Sequence, residues 1–186
     1  LLLRSGVGGI DCLLADTYGA AEVIGIDVED QLIEEARERI QRKGLASRVS
    51  FQLVAPGPLP FADESFDIVF SKDAMVHIPD KAALFAEASR VLKPGGSFIA
   101  ADWLWATGAG ESAVVKAWLS KGPLKFAFTT LPEAKSALER ANRCQSSRTA
   151  TLVIVPPFRQ RFSSCTNLAF SAPPARTNDR SEPIDT

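Results

Sequence analysis

Basic excess, long apolar runs and paired cysteines are all missing from this chain. Lys and Arg number 21 against 22 Asp and Glu, a formal net charge of -1. That balance leaves no electrostatic footprint for a phosphate backbone, so no nucleic-acid partner is expected. No apolar run approaches the roughly 18 residues of a membrane span, so no membrane is expected either. The cysteines Cys12, Cys144 and Cys165 are an odd set without metal or redox spacing. They point to a reduced, cytoplasmic setting, with no metal centre. Histidine occurs once, at His77, so one side chain has an ordinary pKa close to neutrality. There is no initiating Met: the chain opens inside the apolar run Leu1-Leu2-Leu3, read as the end of a first buried strand whose upstream part is absent.

What is present is a globular composition, 46% hydrophobic and 23% charged over 186 residues, the size of one domain. The chain is organised around Glu22–Asp27. Val23, Ile24 and Ile26 form a run with no polar face, as in a strand buried on both sides, and the run stops on a carboxylate. In an open parallel sheet the ligand crevice lies off the carboxyl ends of the strands, where an acid such as Asp27 can hold two ribose hydroxyls. A glycine-rich turn, Ser5-Gly6-Val7-Gly8-Gly9, precedes it at the separation a nucleotide-binding β-α-β unit requires.

The remaining elements follow from periodicity. Helices are expected over Ile10–Tyr18, burying Leu13, Leu14 and Tyr18, and over Asp30–Lys43, capped by Asp30 and burying Leu32, Ile33, Ala36 and Ile40. Strands are expected at Val49–Val54, Phe66–Ser71, Ser97–Ala101 and Thr149–Val155. An irregular proline loop follows Val54, and Asp80 caps a helix that buries Leu84, Phe85, Ala88, Val91 and Leu92. Further helices fall near Ser112–Ser120 and Pro132–Asn142, flanking the apolar loop Pro123–Phe128. Alternating strands and amphipathic helices imply a doubly wound, mostly parallel α/β sheet with helices on both faces. That domain covers residues 1–155. Five of the twelve prolines lie in 156–186, a polar segment expected to be largely a disordered tail.

Taken together, Gly6-Val7-Gly8-Gly9, Glu22–Asp27, Leu59-Pro60-Phe61 with Ser65-Phe66-Asp67, Ser71–Pro79 and Arg90–Gly96 resemble the class I S-adenosylmethionine-dependent methyltransferases. The resemblance is greatest to phosphoethanolamine and sarcosine/dimethylglycine N-methyltransferases, and it spans about residues 1–142. It implies a Rossmann-like fold, incomplete at both ends, with S-adenosylmethionine as cofactor and a small-molecule methyl acceptor, an amine nitrogen. By position, it implies that Gly6 and Gly8 line the backbone cradle under the cofactor's methionine portion. Asp27 would accept from the ribose hydroxyls and Leu32 would pack on the adenine. Ser71, Lys72 and Asp73 would lie beside the transferable methyl, His77 would orient and deprotonate the acceptor, and Trp103 would fall near the acceptor pocket. Asp73, four residues before His77, can orient it if the connection forms a helical turn. A loop histidine without chemistry and a turn-forming aspartate are the alternatives at those two positions.

Three stretches depart from the family pattern. Leu2 and Arg4 stand where the family carries an acid and a glycine, and Arg4 either obstructs a tight turn or meets the cofactor's carboxylate. Val54-Ala55-Pro56 replaces a Gly-Asp-Ala step whose acid contacts the adenine amino group. After Ala141 the sequence no longer follows the family. A module that keeps the fold as a partner- or effector-binding domain without catalysis is therefore the second function carried forward. A nicotinamide-dependent dehydrogenase is disfavoured because Gly6-Val7-Gly8 does not continue into Gly-x-Gly-x-x-Gly.

Overall fold

The structure is a computed structural model that describes residues 1–108, 112–121, 125–143, 149–155 and 167–169, with backbone alone from 142 onward. In chain order its elements are β1 (Leu2–Leu3), α1 (Gly9–Asp16), β2 (Val23–Asp27), α2 (Asp30–Arg42), β3 (Val49–Leu53) and β4 (Phe66–Lys72). A 3-10 turn (Met75–His77) then leads to α3 (Lys81–Val91), β5 (Leu92–Trp103), α4 (Ala113–Lys121), α5 (Leu131–Arg143), β6 (Thr149–Val155) and β7 (Asn167–Ala169).

The strands form one sheet in the order β3-β2-β1-β4-β5-β6-β7. Every neighbouring pair from β3 to β6 is parallel, and β7 runs antiparallel to β6. The chain leaves β1 towards one edge through β2 and β3, then returns to β4 on the other side. The strand order therefore reverses between β1 and β4, the place where open α/β sheets hold ligands.

Alternation along β2 explains why helices cover both faces. Val23 packs with Cys12, Ala15, Ile33, Ala36, Ile40, Val49 and Phe51, the core beneath α1 and α2. Ile24 and Ile26 point the other way, into a larger core with Phe85, Val91, Phe98, Ala134 and Leu138 beneath α3 and α5. The doubly wound architecture is thus built from two apolar cores back to back.

Several local expectations need correction. The first helix runs Gly9–Asp16 and turns Asp11, Cys12 and Ala15 inward, leaving Leu13 at 42% and Tyr18 at 72% exposure. It starts at Gly9, one residue earlier than expected, and ends two residues before Tyr18. Asp30 is the first residue of α2 rather than its cap. Glu29 precedes the helix without a side-chain bond, and the Asp27 carboxylate takes the Val28 and Glu29 N–H groups instead. Leu32 and Leu84 are half-buried. Leu92 belongs to β5 and not to the preceding helix, because it pairs with Phe66 ahead of an irregularity in the ladder. Asp80 does cap α3, accepting from Ala83 N at 2.9 Å. The expected tail 156–186 lies outside the described residues except for β7, as do Cys144, Cys165 and the start of the Pro123–Phe128 loop. None of the described helices is long and apolar enough to cross a membrane.

Candidate cofactor-binding site

Three strand ends converge at the switch point. β1 gives way to Arg4 and Ser5, β2 ends on Asp27, and β4 ends on Ser71 and Lys72. A crevice of about 110 Å³ opens there, lined by Leu2, Leu3, Arg4, Ser5, Ile10 and Lys72.

Asp27 is 2% exposed and serves as a backbone clasp. Its Oδ2 accepts from Gly6 N at 2.9 Å, and its Oδ1 accepts from Val28 N at 2.7 Å and Glu29 N at 3.2 Å. The carboxylate at the tip of β2 is thereby joined directly to the glycine-rich bend. Gly6 itself adopts φ 54°, with nothing within 4 Å of where a Cβ would sit. That left-handed conformation favours glycine, and the position leaves open volume beside it.

Gly8 has a different reason to be glycine. At φ 73° it precedes α1, and a Cβ there would lie 2.6 Å from Phe51 Cζ and 3.1 Å from Ala36 Cβ. Close packing of the loop on β3 and α2 accounts for it. Ser5, Gly25 and Asp11 form the layer below. Ser5 N donates to Ile26 O at 2.9 Å, and Ser5 Oγ donates to Asp11 Oδ1 at 3.2 Å. Asp11 is fully buried, with Oδ2 unpartnered among the described residues, and this burial raises its pKa to about 7.

The other half of the site lies off β4. Ser71 is fully buried and its hydroxyl has no hydrogen-bond partner among the described residues. Lys72 and Asp73 form an ion pair with each other. Asp73 takes φ 52° and donates its N–H to Ala101 O at 2.8 Å. The anticipated helical turn exists as the 3-10 turn Met75–His77, yet no hydrogen bond joins Asp73 to His77 among the described residues. The His77 ring lies 5.3 Å from the Phe126 ring, in a cluster continued by Phe128, Trp105 and Trp118. Trp103 is 41% exposed.

A buried acid and a half-buried lysine hold the turn that carries His77. Asp102 Oδ2 accepts from Met75 N at 2.5 Å and Val76 N at 3.2 Å; burial raises its pKa, against the pull of those N–H groups. Lys81 Nζ donates to Met75 O at 2.6 Å, to Ala127 O at 2.7 Å and to Ile78 O, tying the turn to the aromatic segment. Desolvation lowers the Lys81 pKa. On the far side of β4, Arg90 donates to Leu59 O, Phe61 O, Asp63 and Glu87 at 2.8–2.9 Å, fixing the loop after the proline run.

A family model described as a methyltransferase domain matches residues 3–100. The chain belongs to this methyltransferase domain family. Methyltransferase GfsG of Streptomyces halstedii is 42% identical over 97 residues, 52% of this chain and 34% of that protein. The chloroplastic tocopherol O-methyltransferase of Arabidopsis thaliana is 37% identical over 110 residues, 59% of this chain and 31% of that protein. The chain thus spans about a third of the length of these relatives. Among solved structures, Haemonchus contortus phosphoethanolamine N-methyltransferase 2, in complex with phosphomonomethylethanolamine and S-adenosylhomocysteine, superposes with a TM-score of 0.68 at 27% identity, covering 75% of this chain and 32% of that one. The methyltransferase fold is thereby established for this chain.

Proposed function

We propose that this chain binds S-adenosylmethionine and serves methyl transfer to a small-molecule acceptor, with an amine nitrogen as the accepting atom. The observation that carries the reading is the buried Asp27 carboxylate bonded to Gly6 N at 2.9 Å at the strand reversal. Three N–H groups use its oxygens, and a carboxylate offers about four lone-pair directions, so about one remains for a ribose hydroxyl. The open volume at Gly6 and the unpartnered Ser71 hydroxyl also fit a polar ligand here. Leu32, half-buried in the first turn of α2, supplies apolar surface for a base next to the acid. Gly8 and Lys72 complete the proposed cofactor seat, the first by letting the loop pack and the second by lining the crevice.

When bound, S-adenosylmethionine supplies a methyl group on a sulfonium that a lone pair can displace in line. The chain's own task is to hold the acceptor and, for an ammonium, to remove a proton. His77, on the turn that follows β4, is the proposed acceptor of that proton, an imidazole being a common general base. Asp73 adds a carboxylate near the end of β4 to attract a cationic acceptor, in place of the orienting role expected from its spacing. The amine is the finer part of the proposal: the Haemonchus contortus relative is an N-methyltransferase, while the tocopherol enzyme is an O-methyltransferase.

Calorimetric titration with S-adenosylhomocysteine tests the cofactor half, and micromolar binding is expected. Absence of heat at millimolar ligand would leave the second reading, a methyltransferase-fold module that binds a partner or effector without catalysis. One observation favours that reading: the crevice, at about 110 Å³, is smaller than the roughly 300–1,000 Å³ of ordinary ligand sites. The acceptor half is tested by methyl transfer to matched amine and hydroxyl compounds. His77→Ala should cut turnover on the amine by about 10²–10⁴-fold, and transfer confined to hydroxyl compounds would rule the amine out.

A further inference from the structure

We infer that Arg4 is an anion-binding side chain of this site, placed to take the carboxylate at the amino-acid end of the cofactor. The inference rests on the proposed function. Arg4 is a non-glycine residue held at φ 52°, a conformation that side-chain-bearing residues rarely adopt. Its guanidinium makes no hydrogen bond or ion pair among the described residues, whereas Arg37, Arg48 and Arg90 each donate to a backbone carbonyl. It lines the crevice at the strand reversal together with Lys72, and Lys72 is already paired with Asp73. Among the described residues, the crevice therefore presents one free cation, with a planar, forked set of donors.

Charge then sorts the ligand's ends. S-adenosylmethionine carries a sulfonium, an ammonium and a carboxylate, and the first two are repelled by a guanidinium. The diol end belongs to Asp27, at the tip of the neighbouring strand. The carboxylate is what remains for the β1 side of the crevice, and a guanidinium matches it with two parallel hydrogen bonds. A glycine at this position would offer only its backbone, so in this chain the side chain supplies recognition that the loop does not.

The test compares two ligands on the whole chain by calorimetry: S-adenosylhomocysteine, which has the carboxylate, and 5′-methylthioadenosine, which lacks the entire amino-acid end. Arg4→Met keeps a β-carbon at the left-handed position, so it removes the guanidinium without relieving the backbone. Affinity for S-adenosylhomocysteine should fall about 10- to 100-fold in Arg4→Met, while that for methylthioadenosine stays within about twofold. Arg4→Lys, which keeps the charge but not the fork, should fall between, and it serves alone should the methionine variant fail to fold. Equal losses for both ligands, or no loss for either, overturn the inference. A variant that binds S-adenosylhomocysteine normally but loses phosphoethanolamine assigns Arg4 to an anionic acceptor, which also overturns it. Failure of the unmodified chain to bind either nucleoside would instead sink the proposed function itself.

Discussion

Replacing Asp11 with asparagine should remove a pH dependence of stability that the unmodified chain carries between about pH 4 and pH 7. Asp11 lies on the inward face of α1 with no exposure; Ser5 Oγ donates to one oxygen and no described residue hydrogen-bonds the other. Burial, opposed by hydrogen bonds from the backbone and Ser5, raises its pKa to about 7, against about 3.9 for an unfolded aspartate. The folded chain thus holds this proton more tightly than the unfolded one. The group's stabilisation is complete below about pH 4 and is lost as pH rises towards 7; above that, both states are ionised and the dependence ends. About three pKa units at 1.36 kcal/mol each amount to roughly 4 kcal/mol, a large part of the 5–15 kcal/mol that holds an ordinary domain together. Asparagine cannot ionise and still accepts from Ser5. Urea unfolding of both forms at half-unit steps of pH, read as the difference between them, cancels every other carboxylate. The difference should move in favour of asparagine by up to about 4 kcal/mol between pH 4 and pH 7, then level off. A difference independent of pH would refute the claim that Asp11 is buried as the neutral acid.

Three further changes probe the same scaffold. In Gly25→Ala the new Cβ would lie 2.4 Å from Asp11 Oδ1 and from Ser5 Oγ, and 2.6 Å from Phe51 Cδ1; the urea midpoint should fall by the equivalent of about 1–3 kcal/mol. Arg90→Met strands the Leu59 and Phe61 carbonyls and the Glu87 carboxylate. Because these groups are partly exposed, a loss of about 1–2 kcal/mol is expected, with faster hydrogen exchange at the Leu59 N–H that Glu87 holds. Ala55→Asp restores an acid just past Val54, whose N–H bonds Asp27 O at 2.9 Å; affinity for S-adenosylhomocysteine should rise about tenfold in a titration.

Most of the fold was legible because apolar spacing determines it. β6 appears at its expected bounds and β2 begins one residue inside the Glu22–Asp27 stretch, since a run such as Val23-Ile24-Gly25-Ile26 suits a strand covered on both faces. The first helix was misread for the same reason that the strands were read correctly. Leucines at 13 and 14 outweigh a cysteine and an alanine on any hydrophobic count, yet Cys12 and Ala15 face the sheet. Small residues are what a helix presents where a glycine-rich loop brings it close to the strands.

Asp27 and Gly6 could be paired from sequence because each carries an unusual demand: an acid where a buried strand ends, and a glycine where the backbone must turn left-handed. Asp11, Lys81 and Asp102 carry no such signal, since a charged residue reads the same whether solvated or buried. Asp102 and Lys81 reach backbone groups distant in sequence, Met75 N across 27 residues and Ala127 O across 46, while Asp11 meets the hydroxyl of Ser5. The spacing of Asp73 and His77 suggested a contact that the left-handed bend at Asp73 does not make. What orients the turn of His77 is instead the charge at the end of the next strand. The cue was available: β5 had to end near Asp102, beside the end of β4, and an acid there faces the same row of unpaired N–H groups that Asp27 meets at the end of β2. The two strand ends thus use one device twice. At Asp27 the three N–H groups are those of Gly6, Val28 and Glu29, and at Asp102 they are those of Met75, Val76 and Trp103, so the first acid fixes the glycine-rich bend and the second fixes the turn of His77.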